Sequence, residues 1–234
     1  GVEMLIGYGQ SLAVGGGASN SSTDFKNSVA FNGGVDISSY TSSVIPDSVL
    51  SSFVPIANQA SYTPITASLV AMLELLQNEN KVDVSKFGNK YLCVTGGVSG
   101  ASITSMNKGT IPYSNLIKAI TKAKQLANAE GFPFKVLALN WVQGEADRAM
   151  TQNQYYLLLK QFFIDLNTDI KAITLQTDDV KFITYQTASW LNLWYPSGST
   201  TQQSGDTVQF TLTGVQKAQL QVANELSNVY LCGA

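Results

Sequence analysis

The chain has 234 residues, a formal net charge of −2 and a charged-residue share of only 13%. Such a length suits one large domain or two small ones, and a nearly neutral chain offers no basic surface to nucleic acid or anionic lipid. No apolar run is long enough to cross a bilayer. We therefore expect neither nucleic acid nor a membrane as a partner.

The predicted elements alternate between strands and helices along the chain. Five apolar runs are nearly continuous, as in strands that are covered on both faces of a parallel sheet. Four stretches between them carry apolar residues at spacings of three and four, which form one face of a helix. In chain order the elements are strand 4–8, helix 64–78, strand 90–96, helix 114–130, strand 135–142, helix 152–171, strand 181–186, helix 214–227 and strand 228–232.

This alternation predicts an α/β fold with three layers, in which right-handed crossovers wind helices around a parallel sheet of about five strands. We expect the strand order 2-1-3-4-5 of a doubly wound sheet. Two long stretches, 12–63 and 187–213, are predicted to be loops. Loops of this length in a compact domain are commonly functional or disordered.

Three polar stretches follow the first three predicted strands, each where its strand ends. Open α/β sheets bind ligands at the carboxyl ends of the strands, where the strand order reverses. With the order 2-1-3-4-5 this point lies between the first and third strands, which places Ser11 beside Gln143 and Glu145. The three stretches are "GQS" at 9–11, "GGVSGAS" at 96–102 and "WVQGEADR" at 141–148.

The residue types at this edge suit acyl transfer. Ser11 follows a small Gly9-Gln10 turn, which leaves its hydroxyl free of bulky neighbours. A tetrahedral oxyanion needs preorganised donors, which the backbone N–H groups of loop 96–100 and the side-chain amide of Gln143 can supply. The chain contains no histidine, however, so the usual base for a serine nucleophile is missing.

The stretches "GYGQS", "GVSGAS" and "WVQGEAD" together resemble the SGNH hydrolases, and most closely their sialate O-acetylesterase-like group. The resemblance extends over nearly the whole chain. It implies a single domain over 1–234 with the flavodoxin-like SGNH hydrolase fold. It also implies a carbohydrate O-acetylesterase, which removes acetyl groups from a polysaccharide or glycan and needs neither a cofactor nor a metal.

The same resemblance implies a role for each residue of the three stretches. Ser11 corresponds to the nucleophile. The oxyanion hole corresponds to the backbone N–H groups of Ser11 and Gly100, with Gly97 as the alternative glycine, and to the side-chain amide of Gln143. Gln10 and Glu145 are implied as supporting residues, with Glu145 as a structural anchor.

The expected base is the main departure from the family pattern. Such enzymes carry an Asp-x-x-His block shortly after the last strand, and its histidine takes the proton from the serine. We expect the present domain to lack this segment, which then lies beyond Ala234 in the parent polypeptide or on another chain. Without the histidine, the 234 residues alone are expected to be nearly inert.

Alternatives to an esterase remain open from the sequence. One is a catalytically inactive glycan-binding module on the same fold. A nucleotide-binding domain is disfavoured because no loop resembles GxGxxG or GxxxxGK[ST]. A glycosidase pair formed by Glu145 and Asp147 is disfavoured because the two carboxylates, two positions apart at a helix start, point in different directions. Trp190, Trp194 and Tyr195 either stack on sugar rings or pack as the core of their loop.

The two cysteines, Cys93 and Cys232, are predicted to be free thiols. They lie on the second and fifth strands, at opposite sides of the expected sheet. Four strand spacings separate them by roughly 19 Å, which is far beyond the reach of a disulfide.

The setting is inferred from the composition alone. Few charges combined with many hydroxyl and amide side chains suit a domain of a larger extracellular or virion-associated protein, such as a bacteriophage tail protein. The expected partners are an acetylated carbohydrate and the polypeptide that carries the histidine, and a homo-oligomer remains open.

Overall fold

A computed structural model describes residues 1–15, 27–56, 63–86, 88–187, 193–194, 209–210 and 213–232 of the chain. The strands are β1 (Val2–Gly9), β2 (Ser28–Phe31), β3 (Phe53–Pro55), β4 (Lys90–Thr95), β5 (Phe134–Val142), β6 (Lys181–Thr184), β7 (Leu193–Trp194), β8 (Gln209–Phe210) and β9 (Val229–Leu231). The α-helices are α1 (Ser11–Val14), α2 (Pro64–Asn78), α3 (Ile111–Ala129), α4 (Gln152–Thr174) and α5 (Gly214–Glu225). Short 3₁₀ turns cover Ser38–Tyr40, Asp47–Leu50, Val84–Lys86 and Ile103–Ser105.

The main sheet has seven strands in the order β3-β2-β4-β1-β5-β6-β9. All neighbouring pairs in it are parallel except β2 and β3. The five predicted strands are β1, β4, β5, β6 and β9, and their spatial order is 2-1-3-4-5. The predicted α/β class and doubly wound order are therefore confirmed, and two further strands extend the sheet beyond β4.

The strands that were not predicted from the sequence are short. β2 and β3 have four and three residues and lie inside the predicted loop 12–63. β7 and β8 have two residues each, inside the predicted loop 187–213, and pair antiparallel with each other. A buried strand can be recognised from its pattern over four to eight residues, so β2 lies at the lower limit of this range and the other three strands fall below it.

The helix ends follow capping chemistry. α2 begins after Thr63, whose backbone N–H donates to the hydroxyl of Thr66 at 2.9 Å, and Pro64 occupies the first turn. α4 begins after a capping box formed by Thr151 and Gln154. Among the described residues, no helix is both long enough and apolar enough to span a membrane.

Helices cover both faces of the sheet and bury two groups of apolar residues. Side chains that alternate along β1 separate the faces: Ile6 and Tyr8 join the core under α3, α4 and α5, whereas Leu5 joins Cys93 in the core under α2. Beneath the carboxyl end of β5, the ring of Trp141 lies 4.6 Å from that of Phe162. A rigid aromatic layer therefore supports the edge at which the chemistry was predicted.

The cysteines are free thiols, as predicted. Cys93 is buried on β4, and Cys232 is exposed after β9. Burial raises the pKa of the Cys93 thiol far above its ordinary value. We expect iodoacetamide to modify only Cys232 in the native protein and both cysteines in denaturant, because the thiolate is the reactive form. Intact mass without reductant measures this, and a denatured protein that takes up no label would contradict it.

Candidate active site

The carboxyl ends of three strands meet at one edge of the sheet. β1 lies between β4 and β5. The N–H of Gln10 donates to the carbonyl of Val142 at 2.8 Å, and the N–H of Val98 donates to the carbonyl of Gly9 at 2.7 Å. The turn after β1 is therefore held on both sides, and the three polar stretches singled out in the sequence converge here.

Ser11 is the first residue of α1, and its side chain is exposed. Its hydroxyl makes no hydrogen bond to any described residue. The preceding Gln10 is only 6% exposed, and its Oε1 accepts from the N–H of Ala146 at 3.3 Å. Gln10 thus ties the Ser11 turn to the segment after β5, and its supporting role stays a prediction.

The tight approach of these segments requires glycine at Gly9. This residue has φ 145°, and a Cβ there would lie 2.1 Å from the carbonyl oxygen of Val142. Any side chain would push β1 and β5 apart at the site. A Cβ on Gly97 would lie 3.0 Å from the carbonyl oxygen of Gln10 and 2.8 Å from a methyl of Val14, so the loop after β4 packs directly on α1.

The same sheet edge offers backbone N–H groups that have no acceptor among the described residues. The N–H groups of Ser11, Gly97 and Gly100 donate to no backbone or side chain among the described residues. Gly97 is buried, whereas Gly100 is exposed, has φ 69° and would accommodate a Cβ in open space. Both glycines therefore remain candidates for the second backbone donor of the oxyanion hole, and the sequence likewise offered both.

Gln143 is fully buried, and its amide is engaged at both ends. Its Nε2 donates to the carbonyl of Ala101 at 3.1 Å and to the carboxylate of Asp147. Its Oε1 accepts from the hydroxyl of Tyr155 at 2.6 Å. Both amide hydrogens are thus used inside the protein, so donation to an oxyanion requires one of them to change partner. The oxyanion role of Gln143 stays a prediction.

The two carboxylates after β5 have different partners. Asp147 is 4% exposed, and its Oδ2 accepts from the N–H of Ile103 at 2.7 Å as well as from Gln143. Asp147 therefore joins the loop after β4 to the turn after β5. Glu145 instead faces the β6 side, where its Oε1 accepts from the hydroxyl of Tyr185.

Glu145 also carries an unused acceptor. Its Oε2 is buried and has no hydrogen-bond partner among the described residues. Burial, and next the hydrogen bond to Glu145, raises the pKa of the Tyr185 hydroxyl, so this hydroxyl stays a donor. A buried carboxylate oxygen without a donor is costly, and an N–H or O–H from a further group would satisfy it.

The predicted sugar contacts lie outside the described part of the structure and stay predictions. Trp190 and Tyr195 lie outside the described residues. Trp194 belongs to β7, but its side chain is also outside the described part. Within the described ranges, no group of three or more histidine, cysteine or acidic side chains is placed to hold a metal ion.

Sequence reasoning missed two tyrosines at the site. Tyr155 occupies a buried position of α4, where its spacing reads as ordinary helix core, and nothing in the pattern indicates where its hydroxyl points. Tyr185 follows directly on β6 at the same edge as the other strand ends. The rule that placed Ser11 at this edge would have identified Tyr185.

Comparison with known proteins gives a family match and two likenesses of fold. The model of the family described as carbohydrate esterase, sialic acid-specific acetylesterase, matches residues 80–230. A crystal structure of NanS has a TM-score of 0.61 at 13% identity, covering 99% of this chain and 77% of that one. A protein from Arabidopsis thaliana has a TM-score of 0.55 at 14% identity, covering 99% and 84%. At such identities the two structures show the fold.

One curated protein has a local likeness in sequence. The hemoglobin and hemoglobin-haptoglobin-binding protein C of Haemophilus influenzae is 29% identical over 114 residues. The match covers 46% of this chain but only 11% of that protein. A likeness over so small a part carries no conclusion about the site.

Proposed function

The chain belongs to the carbohydrate esterase family of sialic acid-specific acetylesterases, and from this premise we propose that it is the nucleophile-bearing domain of a carbohydrate O-acetylesterase. The observation that carries the proposal is the exposed Ser11 at the point where β4, β1 and β5 end together. The family match begins at residue 80, so the assignment of Ser11 rests on this geometry and on the "GQS" motif.

In the proposed reaction, the hydroxyl of Ser11 attacks the acetyl carbonyl carbon while a base takes its proton. The carbonyl oxygen becomes an oxyanion, for which the free backbone N–H groups of Ser11 and Gly100 are suitable donors, and Gln143 adds an amide if it exchanges a partner. The C–O bond to the sugar then breaks, and the base returns its proton to the departing sugar hydroxyl. Water hydrolyses the acetyl-serine by the same steps and releases acetate.

The base is proposed to be a histidine outside these residues, because the 234 residues contain none. The histidine comes from elsewhere in the same polypeptide or from another chain. β6 and β9 lie on the far side of β5 from β4. A histidine that reaches Ser11 from that side is proposed to meet the carboxylate of Glu145, whose buried Oε2 has no hydrogen-bond partner among the described residues.

A second candidate function is a glycan-binding module that has lost catalysis. Two observations favour it: the absence of histidine from the sequence and the internal use of both amide hydrogens of Gln143. Such a module would bind acetylated sugar at the edge around Ser11 without releasing acetate.

Acetate release from an O-acetylated sialic acid or an acetylated polysaccharide tests the proposal. We expect the full natural polypeptide, with its histidine-bearing segment or chain, to release acetate, and the 234 residues alone to show little release. Calorimetric titration with the same sugars serves as the second measurement. Binding without acetate release by the full polypeptide would favour the glycan-binding module.

A further inference from the structure

Gln219 is a buried glutamine that lies outside every sequence motif and contacts the turn after β5. Gln219 lies on α5 and is 0% exposed. Its Oε1 accepts from the backbone N–H of Thr187 at 2.9 Å. Its Nε2 donates to the hydroxyl of Thr187 and to the backbone carbonyl of Gln143, each at 3.0 Å. Both amide hydrogens and the amide oxygen are therefore used, and all of them hold backbone or side chain at the carboxyl edge of the sheet.

Thr187 packs directly against the turn after β5. It is 1% exposed, and its backbone is held at both ends, since its carbonyl accepts from Nε2 of Gln216 at 2.5 Å. A Cβ on Gly144 would lie 2.2 Å from the hydroxyl oxygen of Thr187. Gly144 therefore sits directly against this hydroxyl, and whatever fixes Thr187 also fixes the turn.

Gln219 is the nearer of two donors to the carbonyl of Gln143. Its Nε2 donates at 3.0 Å and the hydroxyl of Thr187 donates at 3.3 Å, which uses both lone pairs of the carbonyl. The Tyr155 hydroxyl also lies 3.3 Å from this oxygen, but its single hydrogen is donated to Oε1 of Gln143 at 2.6 Å. Gln219 thus joins α5 to the turn at the residue whose side chain is predicted to serve the oxyanion.

We propose that Gln219 is a positioning residue for the esterase reaction. It holds the turn 143–145, and with it Gln143 and Glu145, at a fixed place relative to Ser11, and it touches neither substrate nor reacting atoms. This inference rests on the proposed function. A catalytic group that shifts by about 1 Å can lose about 10²-fold in rate, so the proposal predicts a loss of turnover per folded enzyme.

The first test compares Gln219→Leu with Gln221→Leu in the full polypeptide. Gln221 is the matched control, because its amide lies on the same helix but bonds at the surface to Glu225 and Gln152. We expect Gln219→Leu to lower kcat per active site about 10- to 100-fold with KM changed less than about threefold. The control should change neither quantity.

The second test uses hydrogen exchange and does not depend on activity. Without Gln219 the amide of Thr187 loses its acceptor, and the turn after β5 loses its nearest donor. We expect exchange in peptides covering 143–147 and 184–187 to accelerate at least about tenfold in Gln219→Leu, while the sheet peptides of β1 and β4 keep their protection. Gln221→Leu should exchange like the unmodified protein.

Gln219→Glu gives a pH readout, for which the rate is divided by the concentration of folded enzyme so that any effect of the buried charge on folding is removed. Burial raises the pKa of a carboxyl group. The protonated acid can still donate to the carbonyl of Gln143, whereas the carboxylate would repel it. We therefore expect the activity of Gln219→Glu, divided by that of the unmodified enzyme, to rise about tenfold as the pH falls from about 8 to about 5.

Two results would overturn the inference. One is unchanged hydrogen exchange at 143–147 and 184–187 in Gln219→Leu. The other is an unchanged kcat per active site in this variant, when the unmodified polypeptide releases acetate. An unmodified polypeptide that releases no acetate would count against the proposed function instead, while the exchange experiment would still decide whether Gln219 holds the turn.

Discussion

Ser11→Ala is expected to reduce acetate release by the full polypeptide on the order of 10⁴-fold or more, because the loss of a covalent nucleophile removes the whole acyl-transfer pathway. The fold should be unaffected. The Ser11 side chain is exposed and bonds to no described residue, so its removal leaves no buried group unsatisfied. Acetate release and the melting temperature, measured on the same preparation, separate these two expectations.

The control for this variant is Ser227→Ala. Ser227 is also exposed, but it precedes β9 at the opposite edge of the sheet. Its replacement should leave both the rate of acetate release and the melting temperature unchanged. Retention of more than about a hundredth of the activity by Ser11→Ala would show that another group attacks the ester. Sugar binding that persists in Ser11→Ala would indicate that the site recognises its ligand independently of the nucleophile.

The strand order was predictable because continuous apolar runs and the handedness of crossovers leave few topologies. The same reasoning failed for β2 and β3, whose three or four residues carry too little pattern. Those strands extend the sheet beyond β4 and leave the order around β1 unchanged. The edge that holds Ser11 was therefore located correctly even though the strand count was too low.

Side-chain directions at this edge were less predictable. The backbone register brings Gln143 to the site, but the direction of its amide depends on Ala101 and Tyr155, which are distant in the sequence. Gln219 reads as a polar residue within an amphipathic helix, yet it is fully buried because two backbone groups supply its partners. Such contacts arise only from tertiary packing, so local spacing carries no trace of them.

Glu145 is the residue for which the structure adds most to the sequence. The resemblance implies a structural anchor, and the bond from the Tyr185 hydroxyl to Oε1 agrees with that role. The Oε2 of Glu145, however, is buried without a partner among the described residues. We propose that Oε2 accepts the Nδ1–H of the histidine, so that Glu145 orients the base and stabilises the imidazolium that forms during attack.

Glu145→Gln is therefore expected to lower kcat on the order of 10²–10⁴-fold, the range seen when the acid behind a catalytic histidine is neutralised. The amide keeps the size of the side chain and can still accept from Tyr185, so the melting temperature should change little. A carboxylate raises the pKa of the histidine beside it. Its removal should move the acidic limb of the kcat/KM profile to lower pH, which is the measurement that identifies the role.

Tyr185→Phe separates orientation from anchoring. It removes the donor to Oε1 but leaves the carboxylate and Oε2 in place. We expect about a tenfold loss of kcat, as for one hydrogen bond to a charged group. The acidic limb of the kcat/KM profile should stay at the pH found for the unmodified enzyme.

A different result for Glu145→Gln would contradict the orienting role of Glu145. If this variant kept its rate and the acidic limb of its kcat/KM profile, the aspartate of an Asp-x-x-His segment would be the orienting acid, because the histidine would still need a carboxylate to hold its tautomer.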